Sequence, residues 1–423
     1  MPRANGPILI AGGGIGGLAA ALGLAQQGYK VVVLEKAPEL GEIGAGIQLG
    51  PNAFACFDHL GIGAAAQRTA VYIEQLRLMD ALTAEEITHI DLGEAFRARF
   101  GNPYAVVHRG DLHGVLLKAC EEHPRVVLRV SAEVVAYDQD GGSVTARLAS
   151  GERVTGSALI GADGLWSSVR IQVVADGPPR VSGHTTYRSV IPTQEMPEDL
   201  CWNAATLWAG PKCHIVHYPL SGWKVFNLVV TTHNDAPEPV AGKPVSDEEV
   251  RRGFAHVHER AQKIIAHGRD WKLWVLCDRD PVETWVDGRV ALLGDAAHPM
   301  LQYFAQGACM ALEDAVCLAD TIEPPRRLGR AGLQSLSAQA CRCARPGCSF
   351  SRGPSATTST IRPAPMRWCA TRSCGPRPRR TSTMTWLGST ADPASTARSR
   401  DRTPQHRPPA VSPHSLLARA AMG

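Results

Sequence analysis

Gly12-x-Gly14-x-x-Gly17 is entered from the apolar run Ile8 to Ala11 and followed, at the end of the second apolar run Lys30 to Leu34, by Glu35. These residue types and this order can hold an ADP moiety. Gly12 permits a tight strand-to-helix turn, Gly14 lets a pyrophosphate approach bare backbone, and Gly17 lets the helix pack closely on the sheet. With Ile15 opening the apolar pattern of that helix, its unpaired amides and macrodipole attract the phosphates. The Glu35 carboxylate can accept hydrogen bonds from ribose hydroxyls and would repel a 2′-phosphate, so the pattern favours FAD or NAD over NADP.

Two further acid-bearing turns follow short buried runs. GSALIGA leads into Asp163-Gly164 with Ser167, Ser168 and Arg170 beyond it, and RVALL leads into Gly294-Asp295 with His298-Pro299 beyond it. Either alone reads as a structural Asx turn, but two at strand ends point to one shared ligand. His298 has no neighbours at metal-ligand spacing, so it reads as a loop residue, and no metal site is expected. Between Tyr187 and Leu276, alternating runs such as CHIVHYPL and WKVFNLVVTT read as strands of a sheet domain. On such a strand His214 and Tyr218 share one face and His217 points to the other. Taken from the residues alone, His214 reads as a hydrogen-bonded sheet histidine.

These motifs need a scaffold, and 423 residues suffice for two or more domains. Ile15, Leu18, Leu22 and Ala25 fall on one helical face that can cover a sheet, and Gly28 ends that helix. A second helix, after Gln306-Gly307, carries Ala308, Leu312, Ala315, Ala319 and Ile322 on one face, which makes its Met and Cys core residues. No segment reads as membrane-spanning. Residues 8–25 are apolar but lack a basic flank and a small-residue cleavage site, so a cytoplasmic protein is expected. The 12 cysteines are scattered without paired CxxC spacing, which suits reduced thiols.

Charge divides the chain. Residues 324–423 hold 17 Arg, no Lys, two acids, 13 Pro and five Cys, leaving this tail at +15 and the remainder at −11. Pro324-Pro325 interrupts a helical pattern, and no sustained periodicity follows, a composition that suits disorder. One reading is a basic nucleic-acid arm. Natural arms of that kind usually mix Lys with Arg and do not scatter Cys and Trp, so no nucleic-acid partner is expected. The preferred reading is a shift of frame near residue 324 in a GC-rich gene.

The glycine fingerprint with Glu35, the DG turn in GADG and the GD turn in GDAAHP, in that order, resemble the FAD-dependent aromatic hydroxylases, the class A flavoprotein monooxygenases, over about residues 7–323. At finer grain, PMLQYFAQGACMALEDAVCLA at 299–319 and KCHIVHYPLSG at 212–222 resemble the 3-hydroxybenzoate 6-hydroxylases. Salicylate hydroxylases share the FAD motifs and fit less well around Gln302. The resemblance stops after residue 323, where the family continues with helices that pack on the FAD domain.

The resemblance implies a role for each matching residue. Asp295 binds the FAD ribitol, the segment Asp163 to Arg170 serves FAD pyrophosphate and nicotinamide binding, and Arg109 in VHRGDLHGVL contacts the flavin. Pro299 shapes the flavin-facing loop, and the helix start at Gly307 stabilises negative charge at the flavin. His214 assists deprotonation of a phenol, while Tyr218 and Gln302 bind the substrate. The implied reaction uses NADH to reduce FAD and O2 to form a flavin C4a-hydroperoxide that hydroxylates a small phenolic acid, 3-hydroxybenzoate giving gentisate. The alternatives are a salicylate hydroxylase-like enzyme and an inactive frameshifted product. A homodimer is the oligomeric expectation. The fold expected is α/β, with a Rossmann-like three-layer FAD-binding domain from residues 5–70, 106–180 and 280–323. A β-rich substrate domain comes from 71–105 and 181–279, and an irregular tail from 324–423.

Overall fold

The computed structural model describes residues 6–41 and 46–322. The arginine-rich tail, and with it the reading of a shifted frame, lies outside the described residues. At the centre is a six-stranded sheet in the order Val286–Asp287, Val290–Leu292, Ala158–Gly161, Ile8–Ala11, Val31–Leu34, Val126–Arg129, parallel except for its first, two-residue strand. Side chains alternate across it with a period of two. Ile8, Ile10, Val31 and Val33 pack with Leu18, Phe54, Leu112 and Leu312 of the helical layer. Leu9, Ala11 and Leu34 face the other way, against Tyr137, Val144, Ala146 and Leu148 of a three-stranded antiparallel sheet. The result is three layers, helix, parallel sheet and antiparallel sheet, with a core on each face of the middle one.

The Ile15–Gln26 helix departs from the expected single apolar face. Ile15 and every residue from Gly17 to Ala25 are buried. The helix is enclosed by the sheet, by the helix Arg109–Glu121 and by the helix Gly307–Thr321. Glycines make the last approach possible, since a Cβ at Gly23 would lie 2.9 Å from the Ala319 methyl and one at Gly16 3.1 Å from that of Ala311.

A second, eight-stranded sheet runs Lys243–Pro244, Arg269–Asp278, Arg180–Pro192, Val225–His233, Cys213–Leu220, Ala204–Gly210, Gln75–Asp80, Glu86–Asp91. One face is closed by Val250, Phe254, Ala261, Ile264 and Ile265 from two short helices, packed on Ile191, Trp208, Ile215, Phe226 and Leu228. The other face carries His214, Val216 and Tyr218, which line a cavity. Among the described residues no helix is long and apolar enough to cross a membrane.

Candidate active site

The carboxyl ends of Ile8–Ala11, Val31–Leu34 and Ala158–Gly161 open onto one cavity of about 780 Å³. Gly12 turns the chain there with φ +102°, and a Cβ on it would collide with the Ala162 carbonyl oxygen. Gly14 stands before the helix in extended conformation and Ile15 opens it, with no side chain capping the first turn, so those amides face the cavity uncapped. Gly17 does not line the cavity; a Cβ on it would strike the Gly12 carbonyl oxygen, so its part is packing. Glu35 braces the same loop, accepting the Gly13 amide at 2.6 Å through Oε2 and the Ala37 amide at 2.9 Å through Oε1. Each oxygen keeps a lone pair for a hydroxyl. From the other side His113 Nε2 donates to the Gly13 carbonyl at 2.8 Å, a contact the sequence reading missed.

Asp163 accepts the Val169 amide at 3.2 Å through Oδ2, while its buried Oδ1 has no hydrogen-bond partner among the described residues. Burial pushes this carboxyl above its ordinary range. Arg170, at the end of the DG segment, does not reach the cavity, which corrects the expected span. Its fully buried guanidinium pairs with Asp176 at 2.7 Å and donates to the carbonyls of Ala296 and Ala297 at 3.0 and 2.6 Å. It therefore ties the DG helix to the GD loop. In that loop Gly294 has φ +61° and Asp295 follows. Asp295 is exposed by area, but that area opens into the cavity, and crowding by protein raises its carboxyl against the opposing charges of His298 and Arg109. A Cβ on Gly307 would sit 3.7 Å from Asp295 Oδ1, which places this acid at the start of the Gly307–Thr321 helix.

His298 donates from Nε2 to Asp314 at 2.6 Å, and the same oxygen accepts the Gly294 amide at 2.9 Å. Burial disfavours its protonation, but Asp314 and Asp295 together outweigh burial, and its pKa is raised. It buttresses the turn and, like Pro299, does not line the cavity. Arg109 opens its helix at the end of the strand Ala105–His108 and does line it. The bare backbone at Gly12 to Gly14, the unpaired Asp163 oxygen and the cavity-facing Asp295 fit a flavin dinucleotide.

On the sheet side, His214 and Tyr218 face the cavity as the strand period requires, and His217 lies in the opposite core. Burial, with a smaller contribution from His184, lowers the His214 pKa to about 4, so its imidazole is neutral near pH 7. Burial raises the Tyr218 phenol, which stays protonated as a donor. Gln302 lines the cavity as well, and its amide is held by the sheet. Its Nε2 donates to Thr186 and Thr231, both at 3.1 Å, and its Oε1 accepts Arg188 Nη2 at 3.0 Å. The amide thus latches the loop onto the sheet. Breaking three hydrogen bonds in Gln302→Ala, each worth about 1 kcal/mol or more, is expected to release that loop and divert NADH oxidation to hydrogen peroxide. A peroxide assay run beside product formation checks this, and unchanged coupling would count against a latch.

Arg188 itself was missed. It lines the cavity, pairs with no carboxylate among the described residues, and burial lowers its pKa. In register it lies beside Val229, which lies beside Val216 between His214 and Tyr218. Two strand spacings, roughly 10 Å, separate Arg188 from that strand.

The FAD binding domain family matches residues 5–339 of this chain. The chain belongs to it. Among its relatives, 3-hydroxybenzoate 6-hydroxylase 1 of Aquipseudomonas alcaligenes is 60% identical over 312 residues, 74% of this chain and 79% of the relative. The 3-hydroxybenzoate 6-hydroxylase of Polaromonas naphthalenivorans (strain CJ2) is 52% identical over 316 residues, 75% of this chain and 79% of the relative. Among solved structures, Klebsiella pneumoniae HpxO complexed with FAD and uric acid superposes with a TM-score of 0.67 at 28% identity, covering 79% of this chain and 84% of that one. A salicylate hydroxylase substrate complex does so with 0.69 at 25% identity, covering 81% and 86%. The chain is thus an FAD-dependent monooxygenase of the aromatic hydroxylase group, with FAD as its cofactor.

Proposed function

We propose that this enzyme hydroxylates 3-hydroxybenzoate to gentisate with NADH and O2. The observation that carries the reading is Arg188, a half-buried cation without a carboxylate partner among the described residues, facing the same cavity as a neutral His214 and a protonated Tyr218. A benzoate carboxylate supplies the missing anion through a charge-assisted bond. Bound FAD supplies electron transfer and oxygen activation. The chain's own residues do the rest. Arg188 orients the acid, His214 takes the phenolic proton and so enriches the ring, and Tyr218 donates to the substrate oxygen. Leu207, Val216 and Val229 line this part of the cavity with apolar surface that excludes water. Glu35, Asp163, Asp295 and Arg109 would hold the dinucleotide along the other wall.

The division into an FAD-binding domain of residues 5–70, 106–180 and 280–323 and a substrate domain of 71–105 and 181–279 is supported by the distribution of the two large sheets. A cytoplasmic location suits the free thiols of six of the seven cysteines among the described residues, Cys317 alone being disulfide-bonded and so departing from the expectation of reduced thiols. A homodimer is the assembly to test by light scattering.

The test is NADH oxidation by the full chain loaded with FAD. Stimulation by 3-hydroxybenzoate with gentisate as product is expected, and stimulation by salicylate alone would overturn the assignment. Arg188→Met should raise KM for 3-hydroxybenzoate by about 10- to 150-fold, from a charged hydrogen bond of about 1.5–3 kcal/mol. KM for 3-hydroxybenzyl alcohol, which lacks the carboxylate, should hardly move.

A further inference from the structure

A polar pair in the cavity wall has no part in the chemistry above. Gln48, on the strand Gly46–Leu49, and Tyr104, just before the strand Ala105–His108, both line the cavity. Tyr104 Oη donates to Gln48 Oε1 at 2.7 Å, and burial raises this phenol, which therefore keeps its hydrogen. The amide oxygen is thus held, while the two hydrogens on Gln48 Nε2 have no acceptor among the described residues. The strand that carries Gln48 is fixed in place. Asn227 Oδ1 accepts the Gly46 amide at 3.0 Å, and a Cβ on Gly46 would lie 2.6 Å from the Tyr218 ring. Tyr104 packs in one cluster with Tyr218 and Ala205. Gln48 therefore stands beside Tyr218, on whose face of the sheet Arg188 also lies.

A carboxylate offers about four lone-pair sites on two oxygens. In a cavity walled by Ala205, Leu207 and Val216, an oxygen left without a donor is costly. Arg188 already gives one Nη2 hydrogen to Gln302, and Gln302 spends its own amide nitrogen on Thr186 and Thr231. The Gln48 amide is the neutral donor left over on this side. We propose that Gln48 is a substrate-binding residue whose NH2 group, aimed by Tyr104, donates to the benzoate carboxylate beside Arg188 and so selects aromatic acids over phenols that lack the acid. The proposal rests on reading the substrate as a phenolic benzoate. Tyr104 and Asn227 act through Gln48 and are positioning residues.

The test titrates the FAD-loaded full chain with 3-hydroxybenzoate and, separately, with phenol, without NADH, and reads Kd from the flavin spectrum. Gln48→Leu should weaken 3-hydroxybenzoate by about 10- to 150-fold, the range for a lost hydrogen bond to a charged group. Phenol, which offers no carboxylate, should bind as it does to wild type, and FAD affinity should not change. Gln48→Glu keeps an acceptor for Tyr104 while replacing the donor with a like charge, so it should weaken the acid more than Gln48→Leu and again spare phenol. Tyr104→Phe frees the amide to turn and should cost about two- to tenfold on the acid alone. Equal losses for phenol and acid would reduce Gln48 to packing, and lost FAD affinity with acid binding intact would assign it to the flavin; either overturns the proposal. If wild type itself does not bind 3-hydroxybenzoate, the substrate reading falls first. If wild type and Gln48→Leu bind it equally, only the role of Gln48 falls.

Discussion

His214→Ala lowers kcat for 3-hydroxybenzoate by about 10²- to 10⁴-fold at pH 7, the range expected when a positioned proton acceptor is removed. The imidazole faces the cavity, and burial holds its pKa at about 4, so essentially every molecule presents a neutral nitrogen near pH 7. A base with so low a pKa is weak toward a free phenol. The ion pair formed on transfer corrects this, because phenolate and imidazolium stabilise each other where solvent is excluded. The deficit of the variant should therefore shrink as pH rises toward about 10, where a phenol ionises unaided. A deficit constant from pH 7 to 10 would mean that His214 only packs the site. FAD affinity should be unaffected, since the dinucleotide residues lie on other elements.

What was legible in the sequence was local. The turns at Gly164 and Gly294 announce themselves because a strand end, a glycine with positive φ and an acid are adjacent in the chain, and that at Gly12 because its glycine spacing follows a strand end directly. The shared face of His214 and Tyr218 followed from strand period alone, and so did the seclusion of His217. Arg188 was not legible, because its partner Gln302 is 114 residues away and the cavity exists only once two sheets meet. A signal was present: Tyr187-Arg188-Ser189-Val190-Ile191 puts a charge inside an apolar strand run. Arg170 misled because the DG motif runs on to it, while Asp176, which claims it, lies six residues further along. The helix from Ile15 was read as one-faced from its large residues. Its Ala19-Ala20-Ala21 and the glycines at 16 and 23 signal instead a helix covered on all sides, where small residues let neighbours close in.

The links between the flavin loops and the rest of the molecule share one design. Arg170 fastens the GD loop to the DG helix by carbonyl contacts, and Gln302 fastens the following loop to the sheet. Both use buried polar groups that are costly to leave unpaired. Such groups define one geometry in a way apolar packing does not, and the loop between Asp295 and Gly307 needs one geometry because it lines both halves of the cavity.

Acid should unfold this protein through two histidines. His217 is 1% exposed, packs against Trp202, Trp208 and Phe226, and has no hydrogen-bond partner for either nitrogen among the described residues. Burial lowers its pKa to about 3, and that of His214 to about 4. The unfolded chain titrates these groups near 6.5. Between 6.5 and the folded values the unfolded state therefore binds more protons, so stability is full above about pH 6.5 and falls as pH drops toward 3. At pH 5.5, one unit below the unfolded value, each histidine costs about 1.4 kcal/mol, or about 3 kcal/mol together. Asp163 and Asp295, whose carboxyls burial raises, act in the opposite sense in the carboxylate range, and His298, whose pKa is raised, does so in the histidine range alike in wild type and variant, so the difference between the two proteins from pH 7.5 to 5.5 isolates His217. His217→Phe removes one titration while keeping an aromatic ring in the core. Thermal unfolding of the two proteins should show the variant losing about 1.4 kcal/mol less than wild type over that interval. Parallel losses would mean that His217 is solvated or paired in solution and does not titrate as its burial demands.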